Sequence, residues 1–86
     1  MPEYSITFAR SARKELESLS NALIERILQK IESLADEPRP AGCRKLKGAV
    51  DLWRIRIGDY RVIYSIHDKE ILVDIIAIRH RSDAYD

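Results

Sequence analysis

Apolar and polar positions along this chain change period twice, from strand to helix and back to strand, and breaks within each stretch divide it into elements. Tyr4, Ile6 and Phe8 alternate with Ser5 and Thr7, the period-2 pattern of a half-buried strand over residues 3–8. Helical spacing then takes over. Ala12, Leu16 and Leu19 fall at i, i+4 and i+7, with Arg13, Lys14, Glu15 and Glu17 outside that stripe. Residues 18–21 interrupt it, and Ser20 or Asn21 can cap a second helix. Leu23, Ile24, Ile27, Leu28, Ile31 and Leu34 give that helix a strong apolar stripe to about Asp36, where Pro38 and Pro40 stop it. Residues 37–51, with Gly42 and Gly48, read as a loop. Leu52-Trp53-Arg54-Ile55-Arg56-Ile57 alternates apolar and basic, and Tyr60 to Ile66 is rich in β-branched and aromatic residues. Asp68-Lys69 is a turn before a last strand from Ile71 to about Ile78. The first helix is marginal alone and is expected to fold as a hairpin with the second.

The Gly58-Asp59 loop predicts the pairing of the two central strands. Gly at the first central position suits a type II′ turn. A two-residue loop then sets Ile57 against Tyr60, Arg56 against Arg61, Ile55 against Val62, Arg54 against Ile63 and Trp53 against Tyr64. Opposed residues share a face. Trp53, Ile55, Ile57, Tyr60, Val62 and Tyr64 therefore make an apolar face for the helices to cover, and Arg54, Arg56 and Arg61 lie on the other. The expected architecture is α+β, in the order β-α-α-β-β-β. A helical hairpin packs on one face of a small, four-stranded, mostly antiparallel sheet, as a single domain over residues 1–86.

Charge sharpens the picture. The chain has 15 Lys and Arg against 14 Asp and Glu, so its net charge of +1 says little. Residues 39–61, however, hold seven basic residues (Arg39, Arg44, Lys45, Lys47, Arg54, Arg56, Arg61) against Asp51 and Asp59. Arg39 and Arg44 read as solvated loop residues. The three strand arginines read differently, because like charges directly opposed destabilise a sheet and guanidinium groups are suited to grip phosphate. The single Cys43 cannot form an internal disulfide, which fits a reducing cytoplasm and excludes a cysteine-based metal site. His67 and His80 lack a carboxylate partner in sequence, so neither a metal nor a cofactor is expected. No apolar run suits a membrane span, and residues 1–4 do not begin a secretory signal.

Several segments together resemble the RelE/ParE superfamily of type II toxin–antitoxin toxins, most closely its RelE-like branch. They are Tyr4-Ser5-Ile6-Thr7-Phe8 with Ala12, Lys45-Leu46-Lys47-Gly48, Leu52-Trp53-Arg54-Ile55-Arg56, Gly58-Asp59-Tyr60-Arg61-Val62-Ile63-Tyr64, and the tail His80-Arg81-Ser82-Asp83-Ala84-Tyr85. The resemblance spans nearly the whole chain and implies a ribosome-dependent endoribonuclease that cuts messenger RNA in the ribosomal A site. It implies catalytic roles for Arg61, Arg81 and Tyr85. Arg54, Arg56, Lys45, Lys47, Arg79 and His80 are expected to contact substrate. It also implies a cognate RelB-like antitoxin with an acidic amphipathic segment. The chain departs from the common pattern in its strand arginines where lysines are frequent, in its short tail, and in its near-neutral charge.

Metal-free RNA cleavage needs the 2′-hydroxyl held in line, charge stabilised at phosphorus, and protons moved. Fixed guanidinium groups suit the second task. Tyr85 is a candidate for proton handling if neighbouring arginines favour its phenolate, and His80 is the second candidate. Two other functions fit the same fold: a ParE-like poison of DNA gyrase, and a non-catalytic RNA-binding module.

Overall fold

The computed structural model describes residues 3–48 and 51–81. Its elements are β1 (Ser5–Phe8), α1 (Arg10–Glu17), α2 (Asn21–Ser33), β2 (Arg44–Lys45), β3 (Leu52–Ile57), β4 (Tyr60–His67) and β5 (Leu72–His80). They form one sheet in the order β1-β5-β4-β3-β2. β1 runs parallel to β5, and the other pairings are antiparallel.

α1 is too short to persist alone, and it survives by burying Ala12 and Leu16 against the sheet. No side chain caps its start. The joint is instead tied to β5 by a hydrogen bond from Ala9 N to Ile75 O (2.8 Å). α2 begins with a side-chain cap, Ser20 Oγ accepting from Leu23 N (3.3 Å). It ends at Ser33, short of the expected Asp36. Leu34, Ala35 and Asp36 instead tighten into turns bonded three residues back, as in Leu34 N to Ile31 O (2.9 Å). Ile27, Ile31 and Leu34 from this stripe are buried under the sheet with Ile55, Val62, Tyr64, Val73 and Ile75.

The register of β3 on β4 is the one the two-residue loop predicts at all five expected pairs. Gly58 has φ +59°, whereas Asp59 is not left-handed, the pattern of a type II′ turn. The sheet has five strands rather than four. The extra one, β2, is only two residues long and lies in the expected loop, where Arg44 pairs with Arg54 and Lys45 with Trp53. Arg-Lys carries no apolar alternation, so it left no strand signal.

β5 carries a β-bulge. Ile63 opposes Ala77 while Tyr64 opposes Ile75, which leaves Ile76 as the extra residue. In a regular strand, Ile75 and Ile78 would point to opposite faces. The bulge turns both into the helix-covered core, at 0% and 4% exposure. It also decides which of Arg79 and His80 faces the helices.

Candidate active site

The hairpin turn and the end of β5 build the site. Arg56 and Arg61 oppose each other across β3 and β4. Arg81 directly follows β5, and its backbone N–H donates to Asp59 O at 2.7 Å, which draws the start of the tail onto the turn. Arg56, Arg61 and Arg81 thus line one small pocket of about 160 Å³ with Gly58, Asp59 and Tyr60. Three arginines around so small a volume make a concavity whose charge suits an anion.

The arginine face is not uniformly open. Arg56 is exposed and Arg61 half-buried, but Arg54 is only 4% exposed. Arg54 sits between Arg44 of β2 and Ile63 of β4. It lines a larger groove with Lys45 and Lys47 instead of the small pocket.

The other candidates point elsewhere. Arg79 opposes Arg61 in the register, but its Nε is 3.0 Å from Glu15 Oε2 on α1. Glu15 Oε1 also accepts from Ile78 N at 3.0 Å. β1 stops pairing at Ile75, so this carboxylate satisfies a backbone N–H that the sheet edge would leave open. His80 opposes Tyr60 on the helix-covered side, edge-on to its ring with centroids 5.2 Å apart. It lines a cavity with Glu15, Ser18 and Leu19, away from the arginine pocket. Tyr85 lies outside the described residues.

Sequence reasoning took Arg39 for a solvated loop residue, and it is instead part of a latch. Its Nη2 bonds Asp68 Oδ2 at 3.0 Å, Tyr4 Oη donates to Asp68 Oδ1 at 2.7 Å, and the guanidinium lies 5.1 Å from the centre of the Trp53 ring. The hydrogen bond from Arg39, then that from Tyr4, holds the Asp68 carboxyl below its ordinary range. The same bond to Asp68 pushes the Tyr4 hydroxyl above its own. Buried Tyr64 donates to Pro38 O at 2.8 Å, and burial raises its pKa strongly. Asp74 accepts from Thr7 Oγ1 (2.8 Å). His67 Nε2 is bonded to Ser65 Oγ (3.0 Å).

Two residues near the site escaped sequence reasoning. Asp59 was read only as a turn residue, yet its carbonyl positions Arg81. Arg26 of α2 lies against Gly58: a Cβ built there would sit 3.4 Å from its guanidinium. The only sequence signal for Arg26 is its spacing from Lys30, one helical turn on. Among the described residues, no group of three His, Cys, Asp or Glu side chains gathers as a metal site. No helix among them is long and apolar enough to cross a membrane.

Comparison with known proteins agrees with this architecture. Residues 6–85 match the family described as the ParE toxin of the type II toxin–antitoxin system parDE. The mRNA interferase toxin RelE of Escherichia coli is 29% identical over 86 residues, covering 95% of this chain and 90% of the relative. Toxin RelG of Mycobacterium tuberculosis is 28% identical, covering 95% of each. The crystal structure of the archaeal RelE–RelB complex from Pyrococcus horikoshii superposes with a TM-score of 0.82 at 36% identity, covering 95% of this chain and 99% of that one. The chain belongs to the ParE toxin family of type II toxin–antitoxin systems and, within that superfamily, to the RelE-like branch.

Proposed function

We propose that this toxin is an endoribonuclease that cuts messenger RNA in the ribosomal A site. The convergence of Arg56, Arg61 and Arg81 on one pocket carries the reading. The names of its relatives, mRNA interferase among them, support it.

In this mechanism the 2′-oxygen bonds to the adjacent phosphorus while the bond to the 5′-oxygen breaks. The products are a 2′,3′-cyclic phosphate and a 5′-hydroxyl, whose oxygen takes its proton from water as it leaves. Arg61 neutralises the charge that builds on the non-bridging oxygens, with Arg56 opposite it across the hairpin. Arg81, anchored to the turn through Asp59 O, meets the phosphate from the other side. Tyr85, four residues further on, takes the 2′-hydroxyl proton as a phenolate favoured by neighbouring arginines. The pocket holds few acid–base groups, so the ribosome supplies the in-line alignment. The toxin acts without a metal, in the cytoplasm. A RelB-like antitoxin with an acidic amphipathic segment holds it inactive, as the RelE–RelB complexes among the similar structures suggest.

The test is induction of the toxin followed by primer-extension mapping of messenger ends, repeated in a translation extract. Cuts inside reading frames that require ribosomes are expected. Inhibition of DNA supercoiling with intact messenger would overturn the reading and favour gyrase, the alternative that the ParE family name raises.

A further inference from the structure

A second cationic surface lies next to the arginine pocket. α2 packs alongside β3 with Ile27 and Ile31 turned into the core. Arg26 and Lys30 each precede one of those residues, so both stand on the flank of the helix beside the β3 edge, and both are exposed. Beyond the two-residue β2, the side of β3 away from β4 has no further strand beside Arg56 among the described residues, and a groove opens between that edge and α2. Its larger part, about 650 Å³, is bounded by Lys30, Arg44, Lys45, Lys47 and Arg56. A second part, about 440 Å³, continues past Arg26 to Gly58. Arg56 and Gly58 belong both to this second part and to the small pocket of Arg61 and Arg81. The three cavities therefore adjoin one another, in order from the β2 loop, along α2 and around the turn to the site.

Among the described residues no Asp or Glu lines either part of the groove. Gathering Arg26, Lys30, Arg44, Lys45 and Lys47 along one groove costs self-repulsion, which a bound polyanion removes. Gly58 shows how closely the parts fit: the Arg26 guanidinium lies at ordinary van der Waals distance from where a Cβ of residue 58 would stand. The lining favours a nucleic-acid strand over an acidic protein segment. An amphipathic peptide needs exposed apolar anchors. The large apolar side chains of the groove are withdrawn, Leu46 half-buried and Ile55 buried, and the one exposed among the described residues is Ile71, in the β4–β5 connection. A phosphodiester chain needs only spaced cations.

We propose that the groove between α2 and the β3 edge, lined by Arg26, Lys30, Arg44, Lys45 and Lys47, binds the backbone of the single-stranded messenger flanking the phosphate held by Arg56, Arg61 and Arg81. This rests on the nuclease reading above. The groove supplies affinity and direction to the strand, and the pocket supplies the chemistry.

The test compares the wild-type toxin with the double variant Arg26→Ala/Lys30→Ala. Both residues are exposed, and a thermal melt checks that the fold is intact. The probe is a non-cleavable 2′-O-methyl oligonucleotide, titrated at several salt concentrations. The double variant should bind roughly tenfold more weakly. The slope of log affinity against log salt should fall by about 1.4, since each single-strand phosphate contact contributes about 0.7. Trimming the oligonucleotide from one end should abolish the difference between the two proteins, and trimming from the other end should not. Unchanged affinity and slope would overturn the groove assignment. So would a defect confined to binding empty ribosomes, which points to ribosomal RNA, or to binding a poly-glutamate peptide, which points to an acidic protein. Arg61→Ala, run alongside, keeps the two readings separable. If it still cleaves, the nuclease site is wrong, whatever the groove binds.

Discussion

Arg56 and Arg61 face each other directly across the β3–β4 hairpin, two like charges held where a sheet ordinarily places a complementary pair. Neither stands in the core, and the strand pairing around them is complete without them. In the proposed mechanism a bound phosphate lies between these two charges. Arg61→Ala should therefore leave the fold intact, with stability changed by no more than about 1 kcal/mol. Messenger cleavage should fall by roughly 10²–10³-fold, the usual cost of deleting one pre-positioned group that stabilises developing charge. Urea unfolding and single-turnover cleavage on programmed ribosomes measure the two effects. An unfolded variant, or one that cleaves at the wild-type rate, would show that this face is not the site.

Tyr85→Phe and Tyr85→Ala separate two roles for the tail. If the phenolic oxygen moves the proton, both variants lose roughly 10²–10⁴-fold in the chemical step. If the ring only stacks on a base, Phe keeps most activity and Ala loses it, because stacking is worth about 1–3 kcal/mol. The proton-handling outcome is expected, measured at saturating toxin so that binding does not enter. Wild-type rates from both would remove Tyr85 from the mechanism.

The hairpin at the centre of the site was readable in the sequence because two local rules coincide there. Period-2 alternation assigns the faces, and a two-residue loop leaves one register. The α2 stripe was readable for the same kind of reason. What escaped depends on distant partners. β2 exists only because Arg44 and Lys45 pair with β3. The bulge at Ile76 is silent, because β5 is apolar on both faces over much of its length, as central strands are. The orientation of Arg79 is set by Glu15, far upstream on α1. Arg26 meets Gly58 only once α2 lies beside β3, and no local pattern encodes that approach.

Glu15 holds the upper edge of β5 by two contacts, one to Ile78 N and one to Arg79 Nε. Glu15→Ala should cost about 1–3 kcal/mol, mainly by leaving the part-buried Ile78 N–H without its acceptor. The ion pair adds little, being half-exposed on the arginine side. Glu15→Gln keeps an oxygen that can accept the N–H bond and should recover most of the loss. Urea midpoints at constant m report both values. Equal destabilisation by Ala and Gln would mean that the charge, not the hydrogen bond, is what β5 requires.

The latch between Tyr4, Asp68 and Arg39 predicts two pH limits to part of the stability. Asp68 has its pKa lowered in the folded protein, first by the bond from Arg39 and then by that from Tyr4. Its contribution is therefore fully present above the ordinary carboxylate value of about 3.9 and is lost as pH falls through the lower folded value. Tyr4 has its pKa raised, chiefly because its hydroxyl donates to Asp68. Its contribution is present below about pH 10 and is lost as pH rises through the higher folded value. Asp68→Asn removes the charge on which both shifts depend. The stability gap between wild type and Asp68→Asn should hold steady from about pH 5 to 9 and shrink beyond either end. Groups that titrate alike in both proteins cancel in that difference. Tyr4→Phe should abolish the alkaline loss and leave the acid one. Denaturant titrations across the pH range test the pair. A gap that stays constant to pH 2 would mean that Asp68 is held by packing rather than by its charge.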